Sequence, residues 1–551
     1  MSKRKPQFDF WTIVTIGILA VFALFLIYPL ISLFVDGFLE EGTGAFTMAN
    51  FTKFFGKKFY YRSLLNSLKL TVCVTICSLL IGVPLAYIMS FFKIRGKSII
   101  EILIIISMMS PNFIGAYSWI LLLGRSGTVT QFLKSLGIQI QSIYGFGGML
   151  LVFTLKLYPF IYMYVSGALK KVDVAVCEAA ESLGANNFQR VTGIILPLVL
   201  PTVLASSLLV FMRVFADFGT PMLIGEGYRT YPVVLYNQFM GEVSNDNYFA
   251  AALCVIIVAI TMVFFFLQRY IARKHSYSMS ALKPMQPRVQ RPLPRFLCHL
   301  FVYLVVLVAL LPQLTVIVTS FLKESTPGIF TSEFTLINYQ TIFSKNPRVI
   351  PNTYMFGLIA IALVIVFGVL IAYLAVRRRS IITSTVDTLT MLPYIIPGSV
   401  LGICFLYAFA KPPLALTGTA AIIIIALIIR RMPYTIRSST AIISQISPSI
   451  EEAAVSLGAS ELRSFREVTL PMMMPGVISG AIMSWVMVIS ELSSSIMLYR
   501  ASTQTLTVAV YTEVIRDCFG NAAAYSTVLT FTSVLSLLLF FKLTGRRDIS
   551  V

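Results

Sequence analysis

Charge is scarce in this chain. Only 12% of its 551 residues are Asp, Glu, Lys or Arg and 57% are hydrophobic, whereas a soluble globular domain carries about 25% charged residues. A chain this long and this apolar cannot hide its surface in one water-soluble core, so the bilayer is its natural solvent. Histidine is nearly absent. His275 lies in a basic stretch and His299 at the start of an apolar run, so neither joins a ligand cluster. The seven Cys follow no metal spacing; Cys73 and Cys77 share an apolar run without His or acidic partners. No metal site is expected. A phosphate-binding loop is missing too. Gly96-Lys97-Ser98 has the right ending, but position 91 is Phe where the motif needs Gly, which excludes an ATPase site of this type. The formal charge of +20 would suit nucleic acid. However, the Lys and Arg residues fall in short clusters between apolar runs, with no basic domain and no groove-reading motif, and nucleic-acid binding is excluded.

What the chain has in abundance is apolar runs of about 20 residues, the length that crosses a bilayer. Twelve are present: Trp11–Phe34, Leu64–Phe91, Ser98–Leu123, Gly147–Ser166, Leu198–Phe218 and Tyr248–Tyr270, then Phe296–Phe321, Tyr354–Val376, Ile382–Ala410, Thr417–Ile436, Met472–Met497 and Ala522–Lys542. The first is too long for a signal-peptide core and lacks a small-residue cleavage site, so it reads as an uncleaved span. Basic clusters set the orientation. Lys93, Arg95 and Lys97, then Lys170 and Lys171, then Arg377, Arg378 and Arg379 fall in alternate loops, while the intervening loops carry Asp36, Glu40, Glu41 and Glu226. Both termini are therefore expected on the cytoplasmic side. So is the basic, Pro-rich stretch 271–295, the one linker-like segment, which separates a first half, 1–270, from a second, 296–551.

The halves repeat each other. Asn66, Gly82, Ala86-Tyr87 and Pro111 recur 286 residues later as Asn352, Gly368, Ala372-Tyr373 and Pro397. Glu178-Ala179-Ala180, Gly184, Leu196-Pro197 and Pro201 recur 274 residues later as Glu452-Ala453-Ala454, Gly458, Leu470-Pro471 and Pro475. The change of spacing is a deletion, placed most simply where the loop 125–145 corresponds to the short 410–417. With six spans each, both halves insert the same way up, a parallel repeat about an axis along the membrane normal.

Two loops, 172–197 and 446–471, stand out. Each holds a helix-forming stretch with an acidic first turn, a Gly suited to a helix end, and a second helix that runs into the membrane after Leu-Pro. A short helix projecting in this way can seat in a groove of a soluble partner; its Ala pair permits close approach, and its Glu offers a charge or caps the helix. Glu-Ala-Ala, three residues, Gly, nine residues and Ile-x-Leu-Pro resembles the EAA motif of binding-protein-dependent ABC importers. Both copies keep the spacing, and Val468 is the one conservative departure. The resemblance covers nearly the whole chain. It implies an all-α membrane protein with the type I importer permease fold, twelve transmembrane helices as two parallel six-helix repeats. It also implies that Glu178, Ala179, Ala180, Gly184, Glu452, Ala453, Ala454 and Gly458 couple to two copies of a separate ABC ATPase. That partner would bind the ATP and Mg, no cofactor would reside in this chain, and an extracytoplasmic binding protein would deliver the substrate in a bacterial inner membrane.

The segments Ala216-Asp217-Phe218-Gly219-Thr220-Pro221 and Ser490-Glu491-Leu492-Ser493 resemble permeases of the ferric-iron group. That points first to ferric iron, with 2-aminoethylphosphonate, a sugar phosphate or thiamine as alternatives; the rival class is a secondary transporter. Charges at membrane depth mark functional sites. Lys156 and Arg430 occupy matching repeat positions, each before a Pro, and read either as pathway residues for an anion or as snorkelling cations. Asp217 and Glu491 also correspond and read as a gate lip. Arg213 stands four residues from Asp217, the spacing of a helical ion pair. Lys69, near the outer end of its span, reads as snorkelling.

Overall fold

The computed structural model describes residues 9–40, 42–109, 112–139, 141–170, 172–241, 246–274 and 291–544. The central part of the linker, including Met285, and Pro111 of the repeat lie outside them. Among the described residues, eight helices are long and apolar enough to cross a membrane: Phe10–Gly37, Lys58–Phe91, Phe146–Leu169, Phe188–Phe215, Asn247–Ile271, Pro292–Ser320, Val349–Arg377 and Glu461–Ile489. The other four expected spans are helical too. The third consists of Lys97–Met109 and Asn112–Leu123. The ninth is broken between Ile381–Ile395 and Gly398–Ala408, which meet at 110°, because Pro397 at the junction can neither donate a helical hydrogen bond nor let Ile396 stay helical. The tenth, Ala420–Ile443, carries Arg430, Arg431 and Arg437. The twelfth is Phe519–Thr544.

The repeat has a packing cause at several positions. A Cβ on Gly82 would stand 2.7 Å from Cβ of Ile161, and one on Gly368 would stand 2.8 Å from Cγ2 of Thr435. Each glycine thus lets the second span of its half press against the fourth; inside a bilayer such close packing replaces the hydrophobic driving force. Asn66 donates its side-chain amide to the Arg229 carbonyl at 3.1 Å, and Asn352 to the carbonyls of Ser502 and Gln504 at 3.0 and 3.1 Å. The next residues, Ser67 and Thr353, accept the backbone N–H of Tyr231 and Leu506 at 2.8 and 2.7 Å. These bonds hold the starts of two helices, Tyr231–Met240 and Leu506–Ile515, which lie between the fifth and sixth spans of each half. Most of their apolar residues are buried, with Met240 and Ile515 at the ends left exposed, so these segments are packing elements rather than the open loops that the hydropathy pattern suggests.

Each half lends its first span to the other. The Trp11 ring lies 4.5 Å from that of Tyr373, tilted by 37°, and Phe25 lies 5.7 Å from Phe409. In return Val302, Val305, Val306 and Ala309 of Pro292–Ser320 join the core formed by spans two to five of the first half. Neither half completes its own core.

Leu in place of Gly82 or Gly368 is expected to overpack the second–fourth span contact by about 1–3 kcal/mol. The measurement is the temperature at which the detergent-purified protein loses its single size-exclusion peak. Both variants should lose it at a lower temperature than the parent, and an unchanged temperature would contradict the assigned contact.

Candidate functional site

The two motif loops fold alike. Val174–Ser182 and Pro448–Ser456 are the projecting helices. Asp173 and Ser447 cap them, accepting from the backbone N–H two residues on at 2.9 and 3.4 Å. Glu178 and Glu452 fall beyond the first turn. The capping role considered for them is therefore taken by Asp173 and Ser447, and in the first loop the acidic first turn is absent. Gly184 and Gly458 have φ of +87° and +92°, the left-handed region that suits glycine. Their N–H groups donate to Glu181 and Val455 at 3.0 and 2.9 Å, while those of Ala185 and Ala459 donate to Ala180 and Ala454 at 2.9 and 3.1 Å. This pair of bonds is the Schellman ending. It explains the Gly and gives the second Ala of each motif a backbone role.

Just before each Gly a leucine stands in the open: Leu183 is 90% exposed and Leu457 91%. At matching repeat positions in the two loops, Val176 and Phe188 correspond to Ile450 and Leu462, and all four are exposed. A small apolar knob of this type is what a partner's groove would cover. Beyond each turn the chain passes through a one-turn π-helix, Val191–Ile195 or Phe465–Thr469, and enters the membrane with Pro197 or Pro471 in its first helical turn, where a missing N–H costs nothing.

The loops differ in anchorage. Glu451 accepts from Arg377 Nε at 2.8 Å and from the Tyr373 hydroxyl at 3.3 Å, and Arg377 also donates to the Ile446 carbonyl at 2.8 Å. The first half has Phe91 and Cys177 at the positions of Arg377 and Glu451, so this ion pair has no counterpart there.

Within the membrane both halves line one cavity of about 190 Å³. Its wall includes Arg213 and Asp217 from the first half and Arg430, Arg431, Ser490 and Glu491 from the second, together with the broken-span segment Pro393–Pro397. Irregular backbone at membrane depth is tolerated where it lines a cavity. Glu491 is only 3% exposed and binds two guanidiniums at once, Arg430 on Oε1 and Arg431 on Oε2. Oε1 also accepts from the N–H and hydroxyl of Ser494, both at 3.1 Å. Asp217, at the matching position, accepts from the N–H three residues on, that of Thr220, at 2.9 Å. The Arg430 guanidinium fills the space above Gly398, where a Cβ would stand 1.5 Å from its Nη1.

Lys156 is placed differently from its partner in the repeat. It is buried, and its Nζ donates to the carbonyl of Met108 at 2.8 Å and of Ser107 at 3.4 Å. It thereby caps the C-terminal carbonyls of Lys97–Met109, next to the cavity rather than on its wall. Gln313, from the seventh span, donates to Ile106 and Ser107 at 3.3 and 3.5 Å. A lone Gln amid an apolar run was the available signal for this contact. Arg213, which the helical spacing pairs with Asp217, lies over the Phe160 ring at 4.1 Å. Lys69 lies over the Phe146 ring at 5.2 Å.

The family described as binding-protein-dependent transport system inner membrane component matches this chain twice, at residues 79–277 and 364–545. The chain is 29% identical over 540 residues to the ferric transport system permease protein FbpB of Actinobacillus pleuropneumoniae, covering 96% of this chain and 77% of that one. It is 30% identical over 501 residues to a putative ferric transport system permease protein of Haemophilus influenzae, covering 88% and 77%. It is 31% identical over 232 residues to a putative 2-aminoethylphosphonate transport system permease protein of Salmonella paratyphi A, covering 42% and 86%. With two matched copies, two motif loops and a cavity shared between two halves, this chain belongs to the binding-protein-dependent transport system inner membrane component family, as a permease with both halves in one polypeptide.

Proposed function

We propose that this permease imports ferric iron, driven by two copies of a separate ABC ATPase seated on the loops 172–197 and 446–471. The observation that carries the coupling role is the pair of left-handed glycines, each presenting an exposed leucine at the tip of a projecting helix. Glu178, Ala179, Ala180 and Gly184, with Glu452, Ala453, Ala454 and Gly458, form the two seats. An extracytoplasmic binding protein delivers the substrate at the opposite end. The motif loops, both termini and the linker 271–295 then lie in the cytoplasm of a bacterium, and the partner rather than this chain binds ATP and Mg. Arg430, Asp217 and Glu491 line the pathway, and Lys156 supports its edge. Iron is favoured by ferric transport permeases among the relatives that align with most of the chain; the arginines of the cavity favour a phosphonate or a sugar phosphate as the second reading.

The test is uptake into proteoliposomes holding the full chain with its ATPase and binding protein. ATP-dependent accumulation of iron-55 is the expected outcome. Accumulation of 2-aminoethylphosphonate without iron would move the substrate to the second reading. Uptake that follows an ion gradient and ignores ATP would instead identify a secondary transporter.

A further inference from the structure

The cavity brings together three guanidiniums, of Arg213, Arg430 and Arg431, and two carboxylates, of Asp217 and Glu491. A bare trivalent cation entering this wall would meet more positive than negative charge, with both Glu491 oxygens already bound to arginines. The donor inventory points the other way. A guanidinium only donates. The buried Nε of Arg431 has no hydrogen-bond acceptor, and the buried hydroxyl of Ser490 has no partner; both residues line the cavity. Unsatisfied donors on residues that line a cavity suit a ligand rich in acceptors. At about 190 Å³ the space is smaller than the roughly 300–1,000 Å³ of a drug-sized site, which suits a small oxyanion.

We propose that Arg430, Arg431 and Glu491 form an oxyanion exchange site. The oxyanion of the cargo takes the guanidinium faces of Arg430 and Arg431, with Arg213 supplied by the other half, and Glu491 is the internal counter-ion that it displaces. Glu491 is suited to that role because its backbone is held independently of its carboxylate: Thr507 donates its hydroxyl to the Glu491 carbonyl at 2.7 Å. While the site is empty, the carboxylate pairs with both arginines and offsets one of their two charges; without it both would be buried unpaired at a cost of several kcal/mol. When cargo leaves, the carboxylate returns and blocks rebinding. The inference rests on the pathway reading above. It narrows the cargo to a species bearing a phosphate, phosphonate or carboxylate oxyanion; iron would cross with such an anion attached.

A structural ion pair and an exchange site respond in opposite directions to loss of Glu491. The experiment is equilibrium binding of phosphorus-32 inorganic phosphate to the full chain with its ATPase in nanodiscs. Glu491→Gln should bind phosphate at least tenfold more tightly than the parent and slow ATP-driven uptake. Glu491→Asp, which withdraws the carboxylate by one methylene, should tighten binding by a smaller factor and serves if the Gln variant fails to fold. Adding Arg431→Gln to Glu491→Gln should return binding to the parent's level. Phosphate binding unchanged or weakened in both Glu491 variants overturns the exchange site, even where iron uptake by the parent confirms the importer. Tightened phosphate binding in the Glu491 variants, with a parent that accumulates no iron-55, keeps the exchange site and overturns the iron reading. Parallel uptake of iron-55 with phosphate or citrate present, and of 2-aminoethylphosphonate, separates an oxyanion carried on iron from one that is the cargo itself.

Discussion

Replacing Gly184 and Gly458 together by Val is expected to abolish capture of the ATPase while the permease still inserts in the membrane at its normal level. The reason is local. Both residues sit at φ near +90°, where a side chain costs about 1–2 kcal/mol and a β-branched one is a genuine outlier. Nothing lies within 4 Å of the added Cβ at either position, so the penalty comes from the backbone and not from a clash. Relief of that strain breaks the two Schellman bonds and swings Leu183 and Leu457 away from their present aim. If both loops must seat at once, the two costs sum to about 2–4 kcal/mol, roughly a 30- to 700-fold loss of the competent form. Asn, which tolerates the left-handed region, is the control: Gly184→Asn with Gly458→Asn should retain most capture. Co-purification of the ATPase with tagged permease measures the effect. Capture and uptake by the double Val variant at the parent's level would remove the coupling role from these loops.

Lys156→Met with Arg430→Met is expected to reduce ATP-driven uptake at least tenfold with capture of the ATPase intact. Each charge costs about 2.5–3.5 kcal/mol at membrane depth on insertion scales, and each has a specific arrangement that offsets it. Arg430 shares Glu491 with Arg431 on the cavity wall. Lys156 caps the carbonyls of Ser107 and Met108, beside Met108 of the same wall. Removing Arg430 takes away one donor that faces cargo. Removing Lys156 uncovers carbonyls at the end of Lys97–Met109 and lets that edge of the cavity shift. The charge-preserving exchange Lys156→Arg with Arg430→Lys should lose less, since it keeps the field but not the bidentate reach of Arg430. Undiminished uptake by the double Met variant would return both residues to the role of structural cations.

Much of this molecule is legible before any coordinates. The spacing of Gly82 and Gly368, and of Asn66 and Asn352, reports the repeat because each pair solves the same local problem, a close helix approach or an uncapped carbonyl. The motif glycines are legible for the same reason: a left-handed turn constrains residue type within a few positions. Hydropathy finds the eight long spans because their lengths match the bilayer. It misreads Tyr231–Met240 and Leu506–Ile515, which are too short to cross and owe their burial to Asn66, Ser67, Asn352 and Thr353 on other helices. The 110° break at Ile396-Pro397 has a visible cause in Pro397, but its direction depends on what packs around it.

Sequence alone therefore determines the fold class, the two-half repeat, the paired motif loops and the presence of basic residues at matching depth. Each of these depends on chain-local composition, period and spacing. Only the tertiary structure decides that the first spans cross over to the other half, that Gln313 reaches the end of Lys97–Met109, and that Lys156 caps carbonyls while Arg430 shares a carboxylate with Arg431. Those outcomes turn on the rotation and crossing of helices far apart in the chain. Lys156 and Arg430 occupy equivalent places in the repeat, but the first half supplies Leu157 where the second supplies Arg431. That one substitution makes Glu491 the partner of two guanidiniums, because a carboxylate has two oxygens and two adjacent arginines can each claim one.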